Sequence, residues 1–166
     1  MKVSLIQMNS VSDKAANLAE AERLIGLAVQ QERPDWVSLP ECFDFLGAGR
    51  REKFAAAETL PGGPAYSLMQ RLARKHRIYI HAGSILEKVE GQERIHNTTV
   101  VFDREGREIA RYRKIHMFDI TAPDGAHYRE SAAFAPGDAV ATYEAEGMIF
   151  GCAICYDLRF PGLFQA

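Results

Sequence analysis

Several large classes of protein are excluded by what this sequence lacks. It has no apolar run long enough to span a bilayer. Its opening residues, MKVSLIQMNS, carry too short an apolar run for a secretory signal and no small-residue cleavage site. It has only three cysteines, an odd number, which fits reduced thiols and a cytoplasmic location better than a disulfide framework. No second CxxC accompanies Cys152 and Cys155 to complete a zinc site, and the five histidines form no HxH or HExxH pattern. Charge of one sign is also lacking. Twenty basic residues face 22 acidic ones, scattered without a basic block, so neither nucleic acid nor an anionic membrane is expected as a partner.

What is present suits a globular α/β domain. The 166 residues are 47% hydrophobic, enough for one domain with its own core. KVSLIQM reads as a buried strand. A helix follows, capped by Ser12 or Asp13, with Leu18, Ala21, Ile25, Ala28 and Val29 at helical spacing and Pro34 beyond its end. WVSLP is a second buried strand, and Glu41 stands where it runs out. One short helix is expected between residues 45 and 64, and PAYSLMQRLARKHR is a longer one with Pro64 in its first turn. RIYIHAGSILEK, RIHNTTVVFD and REIARYRKIH read as three strands with Gly-bearing turns between them. Residues 117–139 read as a long irregular loop. AVATYEAE and MIFGCAIC form a last pair of strands turning near Gly147, and RFPGLFQA opens a helix. A βαβ start, a helix and a run of strands predict an α/β fold with a mixed sheet. No repeat, low-complexity tract or linker divides the chain.

The chemistry-bearing candidates sit where strands end. Cys155 follows an apolar strand pattern and breaks into Tyr-Asp-Leu-Arg. Packing, half of a disulfide, metal ligation and nucleophilic attack are all open to it. Three positions apart on a strand, Cys152 and Cys155 face opposite ways, so they share neither a metal nor a bond easily. Cys152 and Cys42 read as small core residues. The C-terminal end of a strand is where α/β folds place functional groups, and a sharp turn there frees the next backbone N–H for an oxyanion. A nucleophilic thiol needs a base and a neighbour that favours thiolate, so an activated Cys155 is expected to react with a limiting thiol reagent at mildly acidic pH. Glu41 in LPECFDF can serve as the base, or be a solvated turn acid. Lys114 in RYRKIHMFD ends another strand, whose Arg111 and Arg113 equally suggest a solvated basic face. Glu130 in HYRESAAFAPGD is a loop glutamate. A Cys–His dyad using His116 or His127 is a further alternative.

Taken together, LPECFDF, RYRKIHMFD and GCAICYDLRFP, in this order, resemble the three signature blocks of the nitrilase (carbon–nitrogen hydrolase) superfamily. The resemblance extends through LPGGPAYSLMQRLARKHRIYIHAGSILEK and RIHNTTVVFDREGREIARYRKIH, and so covers essentially the whole chain. RKIHMFDI, RESAAFAPGD and CYDLRFP look most like the ω-amidase and deaminated-glutathione amidase branch. A true nitrilase or a carbamoyl-amine hydrolase of the same superfamily is the alternative.

The resemblance implies an αββα sandwich and a cysteine hydrolase that cleaves a small carboxylate-bearing amide to acid and ammonia through a thioester. In that scheme Cys155 is the nucleophile and Glu41 the general base. Lys114 and the backbone N–H of Tyr156 hold the oxyanion. Glu130 orients the lysine and substrate, and Arg159 is the candidate partner for the substrate carboxylate. No metal or organic cofactor is implied; a homodimer or larger oligomer is, provided the domain is complete. The family's domain runs about 100 residues further, so residues 1–166 are read as that domain lacking its C-terminal portion. A catalytically silent subunit or fragment is therefore a competing reading. Gly162 stands where the family usually has a glutamate after the proline.

Overall fold

The computed structural model describes residues 1–47 and 49–166. The chain opens with strand β1 (Val3–Leu5), helix α1 (Lys14–Glu32) and strand β2 (Trp36–Ser38), the expected βαβ unit. The Asp13 side chain accepts from the Ala16 N–H and starts α1, and Arg33 ends it in the left-handed conformation just before Pro34. Helix α2 (Arg50–Ala56) and helix α3 (Pro64–His76) follow, with Pro64 in the first turn of α3 as its fixed φ favours.

Strand β3 (Tyr79–His81), strand β4 (Ile85–Glu87), strand β5 (His96–Phe102) and strand β6 (Glu108–Arg113) complete the main sheet. Among the described residues it has six strands, with β1, β2 and β3 parallel and β3, β4 and β6 antiparallel to β5. RIYIHAGSILEK, read as one strand, is two. Gly83 bends it at φ +43, where a side chain would overlap the carbonyls of Leu39 and Pro40. β3 and β4 thus share one edge of β5, and the bend brings Ser84 against the turn that carries Glu41.

Helices α1 and α3 cover one face of the sheet through Ala21, Ile25, Leu68, Met69 and Leu72, which pack on Val37, Ile80 and Val100. The other face is covered by a hairpin, strand β9 (Thr142–Ala145) and strand β10 (Met148–Gly151), through Tyr143, Ala145 and Phe150 against Val101 and Tyr112. Trp36 ties the two sheets, donating to the Tyr143 hydroxyl at 3.0 Å and stacking on Phe150. Helices, sheet and second sheet give the first three layers of the αββα order.

Three further expectations are corrected. β1 is not a buried strand. It pairs only with β2 among the described residues, so Val3 and Leu5 stay exposed while Ile6 and Met8 turn onto the helix-side core. Residues 117–139 are not irregular throughout. Strand β7 (Asp119–Thr121) and strand β8 (His127–Arg129) form a hairpin that leads into a short 3₁₀ turn, Glu130–Ala132. The last strand stops at Gly151, and Cys155 opens a 3₁₀ turn, Cys155–Arg159, instead of ending a strand.

Candidate active site

Glu41 stands on the turn after β2, and that turn is fixed from several directions. The Cys42 N–H donates to the Ser84 hydroxyl at 2.7 Å, and the Ser84 N–H to the Pro40 carbonyl at 3.3 Å. Asn97, buried on β5, donates from Nδ2 to Glu41 Oε1 at 2.7 Å. Lys114, one residue past β6, has its backbone in the same frame. Its N–H donates to the Asn97 carbonyl at 2.9 Å, and its carbonyl accepts from Gly137 at 2.8 Å.

The Lys114 side chain is only 2% exposed, and its Nζ lies 3.0 Å from Glu41 Oε1 and 3.0 Å from the Glu130 carboxylate. Glu130 is itself held by the Phe118 N–H, which donates to its Oε2 at 2.6 Å. Burial alone would lower the Lys114 pKa, but the two carboxylates outweigh it and hold the value above the ordinary one. The ammonium is therefore a fixed positive charge between two acids.

Cys155 is exposed and adopts φ +48, a conformation that costs a non-glycine residue about 1 kcal/mol or more. Asp157, two residues on and fully buried, holds it there. Its carboxylate accepts from the Ile154 N–H at 2.9 Å, the Tyr112 hydroxyl at 2.7 Å, the His116 N–H at 3.0 Å and His116 Nδ1 at 2.7 Å. Burial pushes the Asp157 carboxyl up, yet these donors outweigh it and bring its pKa below the ordinary value. The turn places Cys155 and Tyr156 at its first two positions, where the turn's own carbonyls do not reach the N–H groups.

The surroundings of Cys155 do not favour thiolate in the resting site. Partial desolvation of the sulfur and the neighbouring Glu41 carboxylate raise the Cys155 pKa, and Lys114 only partly offsets them. The resting side chain is a thiol facing a carboxylate across the cavity they both line, so its proton must leave as it attacks. The other two cysteines are further from reaction. Burial lifts Cys42 to about 12 and Cys152 to about 11.

Glu41, Lys114, Glu130 and Cys155 all line one cavity of about 490 Å³, with Phe45, Leu86 and Phe134 among its apolar walls. Arg159 does not line it and is exposed on the far part of the 3₁₀ turn, whereas Arg129 of β8 and Lys53 of α2 do line it. His116 is committed to Asp157 and stacks on Phe160 at 3.7 Å. His127 lines the cavity, with Nδ1 bonded to Thr121. Among the described residues no group of three or more His, Cys, Asp or Glu side chains is placed to hold a metal ion. Asn97 and Asp157 escaped the sequence reading. Their only signal there is a polar residue beside an apolar strand.

The layers and mixed sheet define an α/β protein of the nitrilase-type sandwich. The comparison with solved structures agrees. Saccharomyces cerevisiae Nit3, a member of branch 10 of the nitrilase superfamily, superposes with a TM-score of 0.85 at 32% identity, over 98% of this chain and 58% of that one. The Caenorhabditis elegans NitFhit protein gives 0.86 at 31% identity, over 97% and 39%. Residues 2–165 match the carbon-nitrogen hydrolase family model, and the chain belongs to that family. Among curated relatives, an omega-amidase of Homo sapiens is 38% identical over 99% of this chain and 58% of its own length. A deaminated glutathione amidase of Synechocystis is 37% identical over 96% and 59%. The chain thus spans little more than half the length of these relatives.

Proposed function

We propose that these residues form the catalytic site of a cysteine-dependent amidase that cleaves a small carboxylate-bearing amide to acid and ammonia. The observation that carries the reading is the position of Lys114 Nζ, 3.0 Å from both Glu41 and Glu130, in the cavity that Cys155 also lines. Glu41 takes the Cys155 proton as sulfur attacks the amide carbonyl. Lys114 and the Tyr156 N–H receive the oxyanion. Glu41 returns the proton to the departing nitrogen, ammonia leaves, and a thioester remains on Cys155. Glu41 then takes a proton from water, which attacks the thioester; the carbon–sulfur bond breaks, the acid leaves, and Glu41 returns the proton to the Cys155 sulfur. Glu130 keeps the lysine in place. The kinship with omega-amidases and a deaminated glutathione amidase supports the same substrate class.

The reading extends to a cytoplasmic protein that associates as a homodimer or larger oligomer. Free cysteines support the first part. Exposed apolar side chains on the β10 side, Ile149 at 81% and Leu158 at 72%, support the second.

Ammonia release from monoamides of short dicarboxylic acids, by the chain and by Cys155→Ala, tests the proposal. Release is expected from the parent and none above background from the variant. Undiminished release by the variant contradicts it, as does a loss that follows His127→Ala and spares Lys114→Ala. A parent silent on every amide favours the non-catalytic subunit.

A further inference from the structure

The cavity holds more positive charge than the catalytic cluster uses. Lys114 is matched by Glu41 and Glu130. Lys53 and Arg129, on opposite elements of the same cavity wall, pair with no carboxylate among the described residues. This is not for want of acids in the chain. Arg104, Arg107, Arg111 and Arg113 each grip one or two carboxylates. Arg129 even has Asp119 directly across the hairpin and adds to the lowering of its pKa, but that carboxylate's hydrogen bonds go to the N–H and hydroxyl of Ser131 and no salt bridge joins the two. Lys53 has its ammonium 5.6 Å from the centre of the Phe134 ring, a contact that places the charge while leaving its donors free.

Two cations without a salt bridge among the described residues, facing one partly apolar cavity of about 490 Å³, favour an anionic group on whatever enters. We infer that Lys53 and Arg129 are the pair that reads the substrate's carboxylate, Arg129 through its planar fork and Lys53 as a point charge. The amide end of the same molecule then lies against Cys155 and Lys114. This inference rests on the amidase reading for its chemistry, and it moves the carboxylate partner from the 3₁₀ turn that carries Arg159 to α2 and β8.

The test measures kcat/KM for a short dicarboxylic acid monoamide and for its methyl ester, with Lys53→Met, Arg129→Gln, Arg159→Gln and Lys88→Met, the last a change of charge on the exposed chain just past β4. In the parent the free acid is preferred. Lys53→Met and Arg129→Gln should each shrink that preference about 10- to 100-fold, chiefly through KM. Lys88→Met and Arg159→Gln should leave it in place. Equal loss on acid and ester, or a preference that collapses only in Arg159→Gln, overturns the inference.

A second readout needs no turnover. Succinate should protect Cys155 from iodoacetamide in the parent and protect it poorly in Lys53→Met and Arg129→Gln. If the parent hydrolyses nothing but is protected in this way, the amidase reading fails and the carboxylate pair stands. If the parent hydrolyses amides but protection and acid preference ignore both substitutions, the pair fails and the amidase stands.

Discussion

Lys114 Nζ and Glu41 Oε1 are 3.0 Å apart although 73 residues separate them in the chain. The contact forms because β2 and β6 both end at the same rim of the sheet and Asn97 of β5 bonds to each, by side chain to Glu41 and by backbone to Lys114. The pair is built into the sheet and does not depend on a flexible loop.

Removing either member should therefore impair chemistry more than folding. Lys114→Ala is expected to lower kcat by about 100- to 1,000-fold, the usual loss for one oxyanion donor. Glu41→Gln should lower it by about 100- to 10,000-fold, as for a positioned base. Steady-state ammonia release checks both, with circular dichroism showing that the fold persists.

The raised Cys155 pKa makes its alkylation a climbing function of pH. Iodoacetamide labelling read by peptide mass spectrometry should be slow at mildly acidic pH and accelerate above neutrality. Cys155 should react ahead of Cys42 and Cys152, which are held at about 12 and about 11. Glu41→Gln removes the neighbouring charge and should shift the labelling curve to lower pH.

Asp157 is expected to act as a positioning residue. Asp157→Ala leaves the Tyr112 hydroxyl and the N–H groups of Ile154 and His116 without their acceptor, at a cost of about 3 kcal/mol or more. Because its folded pKa is depressed, its stabilisation is complete above the unfolded value and is lost as pH falls through the folded one. Urea denaturation at neutral and acid pH should show a variant deficit that narrows toward low pH. The milder Asp157→Asn should lower kcat more than it raises KM, which a purely global effect on stability would not do.

Asp44 behaves in the opposite sense. Burial raises it to about 6 despite the Lys14 ammonium 3.0 Å away. The folded state then binds a proton where the unfolded chain does not, so this group's contribution to stability grows as pH falls through about 6 toward the unfolded value and is least above 6. The difference in melting temperature between the parent and Asp44→Asn, followed from pH 7.5 to pH 5 (roughly the span over which the group titrates), should move in the parent's favour.

Much of this was legible in the sequence for identifiable reasons. α1 and α3 carry their own caps and apolar spacing, so local pattern and tertiary packing agree. Glu41 and Lys114 stand beside apolar runs that end abruptly, which marks the rim of a sheet. The β7–β8 hairpin was hidden because its strands are short and mostly exposed, leaving no apolar alternation to read, and only the Pro-Asp-Gly turn signalled it. The break at Gly83 was hidden because the clash it avoids is with Leu39 and Pro40, distant in sequence. Asn97 and Asp157 draw their meaning from partners 56 and 41 residues away. Lys53 and Arg129 look like ordinary surface charges until the fold sets them on one cavity. The thiol pKa has a related origin. Lys114 alone would favour thiolate, but Glu41 and Glu130 spend its charge first.

Catching the acyl group on sulfur tests the role of Cys155 most directly. The chain would be mixed with a dicarboxylic acid monoamide, quenched in acid within the first turnovers, digested, and read by mass spectrometry. A mass increase equal to the acyl group is expected on the peptide carrying Cys155, absent from those carrying Cys42 and Cys152, and absent altogether in Cys155→Ala along with ammonia release. Ammonia released with no acyl mass on Cys155, and at an unchanged rate in Cys155→Ala, would contradict it.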